Sequence, residues 1–292
     1  MLFNSVAFAF FFIFVFVLYW FVFNKNLKHQ NLLLLAVSLL FYSFWDWRFL
    51  SLLFFSISLD FYVGNQIYRN ANNRFRKKVW LWLSIIVNLS FLGFFKYFNF
   101  FIDNFSALLG VFGFETNHWS LQIILPVGIS FYTFHGLSYV IDIYNDKIKP
   151  EESLFDYSLF VSFFPLLVAG PIERATHLLP QFKQKRHFNY SKTVDGLRQI
   201  LWGLVKKVVI ADNCAVYVNQ IFDAPENLSG SSLALGAILF SFQIYGDFSG
   251  YTDIALGTAR MLGINLIQNF SFPYFSRDIA EFWRRWHISL SS

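Results

Sequence analysis

Eight stretches of almost unbroken apolar residues fill most of this 292-residue chain, at 5–23, 31–44, 49–68, 79–101, 121–144, 154–169, 196–221 and 231–262. A helix rises about 1.5 Å per residue, so most of these runs can cross a hydrocarbon layer about 30 Å thick. Charged residues make up 14% of the chain, far below the roughly 25% of a soluble domain. Composition thus excludes a soluble globular protein. Backbone immersed in lipid must satisfy its own hydrogen bonds, which here favours helices. The expected fold class is all-α: a polytopic membrane protein, a multi-helix bundle forming one domain over residues 1–292.

Run 5–23 lacks a basic segment in front of it and a small-residue cleavage site, and it exceeds the roughly 7–15-residue core of a secretory signal. It reads as a retained first span. Runs 31–44 and 154–169 are short for a crossing. The second carries Pro165, Gly170 and Pro171 around its end, so it is expected to enter the membrane and turn back.

Loop charges give the orientation. Lys25 and Lys28 follow the first run, and Arg69, Arg74, Arg76, Lys77 and Lys78 follow the third. Both loops are expected in the cytoplasm, with the N-terminus outside. Asp46 and Arg48, and the acidic pair Asp103 and Glu115 after the fourth run, then fall on the outer face. Segment 174–192, with Lys183, Lys185, Arg186 and Lys192, is expected to lie along the inner surface. The net charge of +5 is therefore positive-inside bias and attraction to anionic lipid headgroups, with no nucleic-acid partner expected. Cys214 is the single cysteine. It allows no internal disulfide and has no companions at metal-ligand spacing, so no metal is expected.

Polar groups inside apolar runs are candidate site residues, because burying them is expensive. Pro126 and Gly128 open one run and let another segment approach closely. His135 within it is either a proton carrier or a ring tied to a neighbour by a hydrogen bond, and Asp142 is a capping or snorkelling group. In the last run Gly246 and Gly250 have the small-xxx-small spacing of touching helices. Asp247 and Asp253 are six residues apart and do not share a helix face, which disfavours a paired-carboxylate site. Gln243 and Tyr251 flank Asp247 at four residues, making a polar stripe that is either structural or site-lining.

The segment 270–291 holds the densest chemistry. Glu281 and Arg285 form an i, i+4 pair that leaves Arg284 over. Trp283 and Trp286 bracket the arginines. His287 follows, with Ser289 and Ser291 placed to hold its ring. An imidazole near neutral pKa beside spare positive charge suits proton transfer to a hydroxyl or thiol. A histidine simply bonded at a membrane interface is the competing reading.

Residues 281–291, Glu-Phe-Trp-Arg-Arg-Trp-His-Ile-Ser-Leu-Ser, resemble the signature of the membrane-bound O-acyltransferase family, in particular its bacterial branch with the alginate O-acetyltransferase membrane subunit. Stretches 31–35, 93–100, 125–134, 169–172, 203–208 and 245–251 agree in the same order. The resemblance implies a multi-helix fold around a channel through the cell membrane. It implies transfer of an acetyl group from a cytoplasmic thioester, such as acetyl-CoA, to an exported polysaccharide, directly or through an extracytoplasmic partner protein. No bound cofactor is implied. His287 matches the family's histidine in the tryptophan-arginine motif. Arg284 and Arg285 are placed to meet donor phosphates or inner headgroups, and Trp283 and Trp286 to pack the channel wall. The family's second histidine would lie beyond Ser292, so the chain reads as a truncated form, inactive by itself. The rivals are a permease or export component for a cell-envelope polymer precursor, and a docking scaffold.

Overall fold

The computed structural model describes residues 1–113, 124–168 and 170–291, save the side chain of Asn227. Glu115, Ala169 and the start of run 121–144 lie outside the described residues. Every regular element among the described residues is helical.

Helix α1 (Val6–Val17) is capped by Ser5, whose hydroxyl accepts from the Phe8 N–H, and continues as a π turn, Leu18–Val22. Asn26 and Asn73 cap α2 (Leu27–Asp46) and α4 (Arg74–Val111) in the same way, accepting from the N–H groups of Lys28 and Arg76. Side chains of this kind supply an acceptor that the first helical turn lacks. Between them runs α3 (Phe49–Arg69). By length and composition α3 and α4 are apolar enough to cross a membrane.

The helices depart from two sequence expectations. Helix α2 has 20 residues, about 30 Å, because the helix continues through Lys28–Gln30 at one end and Trp45–Asp46 at the other; it is not short. Asp103 is not in a loop, since α4 runs 38 residues and encloses it.

Helix α5 (Ile129–Tyr144) starts after Gly128, whose φ is +76° and whose absent Cβ would lie 2.0 Å from the Leu167 carbonyl oxygen. Only glycine fits that turn and that contact. Run 154–169 breaks at Phe163 into α6 (Leu154–Ser162) and the one-turn α7 (Phe164–Leu167), all of α7 being buried. Ser38 of α2 anchors the break by accepting from the Phe164 N–H at 3.0 Å. Phe41 meets Phe3, Phe8, Phe11 and Phe164 with ring centroids 5.5–6.1 Å apart, joining α1, α2 and α7. Such pairs contribute about 0.5–1.5 kcal/mol each beyond area burial.

Helix α8 (Ala175–Lys183) buries Ala175, Leu178, Leu179 and Phe182, while Lys183 pairs with Glu151 at 2.8 Å. Then α9 (Tyr190–Leu204), a π segment (Val205–Ala211) and α10 (Asp212–Phe222) follow without a break and pack along α11 (Gly230–Met261). The expected role of Gly250 holds and extends further along the seam. A Cβ on Gly250 would lie 2.8 Å from the Gly203 oxygen, and one on Gly257 would lie 2.5 Å from the Gly196 oxygen. Backbone meets backbone at both points, which fixes the register of α9 against α11.

Candidate active site

After α11 the chain turns back through 263–272 as an extended loop and closes with α12 (Ile279–Arg285) and α13 (Ile288–Ser291). This return is fastened to the core by polar contacts. Glu173, fully buried, accepts from the Ile267 N–H at 2.5 Å and meets His177 Nδ1 at 2.7 Å. Buried Asn269 accepts from the Ser289 N–H at 3.2 Å and from the Ser289 hydroxyl at 2.5 Å; that hydroxyl in turn accepts from the Ile172 N–H. Neither Glu173 nor Asn269 stood out in the sequence. Glu173 lies beside the Gly-Pro pair and had only its charge as a signal, and Asn269 had none.

Asp278 caps α12, accepting from the Glu281 N–H at 2.6 Å. Glu281 accepts from the Arg277 N–H at 3.0 Å and the Arg277 Nε–H at 3.1 Å, and pairs with Arg285 Nη2 at 2.5 Å. The expected Glu281–Arg285 pair is present, and Arg277 joins it. These contacts, the Arg277 backbone N–H first, hold the Glu281 carboxyl down to about 2. Arg285 is thus committed inside the segment. Arg284 is exposed and has no ion-pair partner among the described residues.

His287 sits in the left-handed region at φ +48°, joining α12 to α13. Non-glycine residues there are uncommon and strained. The turn lays the imidazole against Phe248 of α11, with ring centroids 4.9 Å apart at 63°. Phe248 meets Phe270 at 5.1 Å, and Phe270 meets Trp286 at 5.0 Å. Trp286 also stacks on Phe282 at 5.5 Å and nears Tyr245 at 6.1 Å. The histidine therefore rides on an aromatic cluster built by α11 and the return loop. Among the described residues the ring contact of Trp283 with that cluster is with Phe282, and Trp283 is 55% exposed.

The serines do not hold the ring, contrary to expectation. Ser289 is spent on Asn269, and among the described residues Ser291 reaches backbone carbonyls, including that of His287 at 3.4 Å. Nδ1 of His287 is buried, with no partner among the described residues beyond the histidine's own backbone. Burial lowers the His287 pKa from its ordinary value, so at neutral pH the ring is uncharged and one nitrogen can accept a proton.

The remaining predicted site residues form a separate group. The π segment winds wider than 3.6 residues per turn, so consecutive side chains diverge by less than about 100°. Lys206 and Lys207 both face α11 as a result. Lys206 pairs with Asp253, and Lys207 lies 2.6 Å from Asp247, 2.7 Å from Asp212 and 5.3 Å from the centre of the Tyr251 ring. Asp247 and Asp253 thus have different lysines, as their spacing requires. Two lysines within an apolar run opposite two aspartates were the signal that sequence reasoning left unused. The Gln243 Oε1 is buried with no hydrogen-bond partner among the described residues. No hydrogen bond, ion pair or ring contact joins Gln243, Asp247 or Tyr251 to residues 283–287 among the described residues. Between the two groups lies a polar cavity of about 190 Å³ lined by Gln199, Lys206, Tyr245, Thr252, Asp253 and Phe270. Phe270 is shared with the aromatic cluster.

His135 is fully buried, and its Nε2 accepts from the Glu173 N–H at 3.0 Å; it is a tied ring. Asp142 neither caps nor snorkels. It is buried between Lys147 at 3.5 Å and Arg174 at 3.6 Å.

The sequence profile of MBOAT, the membrane-bound O-acyltransferase family, matches residues 148–292, which include the return loop, the aromatic cluster and His287. The chain belongs to the membrane-bound O-acyltransferase family. Relatives in this family include a probable alginate O-acetylase, AlgI, of Azotobacter vinelandii, 39% identical over 265 residues, covering 91% of this chain and 52% of the relative. A peptidoglycan O-acetyltransferase of Helicobacter pylori is 40% identical, covering 100% of this chain and 60% of the relative. A teichoic acid D-alanyltransferase of Bacillus subtilis is 28% identical over 183 residues, covering 61% of this chain and 45% of the relative. The chain spans about half the length of the curated relatives it matches.

Proposed function

We propose that the protein is a multi-pass O-acyltransferase of the bacterial cytoplasmic membrane, with its N-terminus outside. It moves an acetyl group from a cytoplasmic thioester donor such as acetyl-CoA through a channel between the helices. The acceptor is a hydroxyl of an exported cell-envelope polysaccharide, reached directly or through an extracytoplasmic partner protein. The observation that carries this reading is His287: a half-buried, uncharged imidazole whose Nδ1 has no partner outside its own residue among the described residues, held in a strained turn within the region matched by the family.

In the reaction, a hydroxyl oxygen attacks the thioester carbonyl carbon while the imidazole takes the hydroxyl proton. The C–S bond then breaks, and the departing thiolate receives that proton, so one ester and one thiol leave. Donors aimed at the developing oxyanion lower the barrier further. Arg284 is the arginine free to meet donor phosphates, since Arg285 is held by Glu281.

The test is reconstitution of the full gene product in proteoliposomes with acetyl-CoA and a labelled hydroxyl acceptor. Free CoA released in proportion to acceptor acetylated is the expected result. Labelled sugar crossing the membrane with no CoA release would overturn it in favour of a permease.

A further inference from the structure

A second cleft, of about 500 Å³, opens between the π turn that follows α1, helix α8, the start of α9 and the end of α11. Among the described residues four cations line it, Lys185, Arg186, Lys192 and Arg260, together with His177 and His187, and no carboxylate does. Among the described residues none of the four cations is in an ion pair. Arg186 is the most telling of them. It is 6% exposed, its Nη2 donates to Asn31 Oδ1, its guanidinium lies over the Tyr19 ring, and Nε and Nη1 are buried with no acceptor among the described residues. Guanidinium stays charged at any accessible pH, and a buried charge with no counter-charge is strongly unfavourable. Glu173, the buried acid that meets the cleft-lining His177, is already occupied by that ring and the Ile267 N–H.

The geometry points to this cleft as an anion site for a phosphate-bearing group, with Lys185, Lys192 and Arg260 gripping the oxygens and Arg186 supplying fixed positive potential from beneath. Its size and three flanking cations fit a diphosphate better than a single carboxylate. The site is separate from residues 277–287, and it stands whether or not the proposed acyl transfer is correct. The phosphate comes either from a soluble ligand or from a lipid headgroup at the inner surface.

The two sources are distinguished with the full chain in nanodiscs, using inorganic pyrophosphate as probe and calorimetry as readout. In discs of phosphatidylcholine alone, saturable binding at one site is expected. Lys192→Gln and Arg260→Gln, both at accessible positions, should each weaken it about tenfold or more, the scale of one charge-assisted hydrogen bond. Loss of pyrophosphate binding when the discs contain phosphatidylglycerol identifies the headgroup as occupant, and undiminished binding identifies a soluble ligand. Absence of saturable binding in phosphatidylcholine discs, or equal binding by wild type and both substituted proteins with unchanged thermal unfolding, overturns the proposal.

Discussion

Adding a methyl group to the glycine seam tests how α9 and α11 are held in register. A Cβ at Gly250 meets the Gly203 oxygen at 2.8 Å, the Lys207 nitrogen at 3.0 Å and the Lys207 Cβ at 3.2 Å. Two of these three atoms are backbone and cannot rotate away. The helices must separate by several tenths of an ångström, and overpacking of this kind costs about 1–3 kcal/mol. Gly203→Ala makes the reciprocal clash, since its Cβ would lie 2.7 Å from the Gly250 oxygen. Both methyls push the same two helices apart, so the double substitution should cost much less than the sum, by about 0.5–3 kcal/mol. Reversible unfolding in bicelles by added dodecyl sulfate measures all three proteins. A neutral Gly250→Ala, or a strictly additive double substitution, would refute the close backbone approach.

Asp253→Asn should destabilise the chain by about 3–5 kcal/mol, because it strands the Lys206 ammonium. Pairing it with Lys206→Met should recover most of that loss in the same assay. Acidification tests the segment that carries His287. Glu281 is held well below its ordinary 4.5 at about 2, so its contribution is fully present above about pH 4.5 and is lost as pH falls toward 2. Hydrogen exchange in 277–286 should rise over that window in wild type and be elevated already at neutral pH in Glu281→Gln. Asn269→Ala removes the acceptor of both Ser289 bonds and should loosen α13 by about 1–3 kcal/mol, seen as faster exchange at 287–291 with the α9–α11 seam unchanged.

The helices were legible in the sequence because a long apolar run favours a backbone that satisfies its own hydrogen bonds. Their ends were less legible. α2 and α4 extend beyond their apolar runs because a helix continues through polar residues until a cap or a turn stops it, as the Asn26 and Asn73 caps do at their starts. His287 and the Glu281–Arg285 pair were visible because they are neighbours in sequence. The partners of Asp247 and Asp253 were not, since Lys207 and Lys206 lie 40 and 47 residues upstream of them and face α11 through the π segment. The serines after His287 looked like ring partners by proximity, yet the left-handed turn sends Ser289 to Asn269 instead. Backbone conformation at one residue decided that outcome, and no periodicity encodes it.

The central claim is that the His287 imidazole, uncharged at neutral pH, accepts the proton of the attacking hydroxyl. The most direct measurement is the pH dependence of acceptor-dependent CoA release by the full gene product, wild type against His287→Gln. The account predicts an acid limb titrating below the ordinary histidine value of about 6.5, and a variant slower by about 10²–10⁴-fold that has lost that limb. A variant that keeps both the wild-type rate and the same acid limb would contradict it.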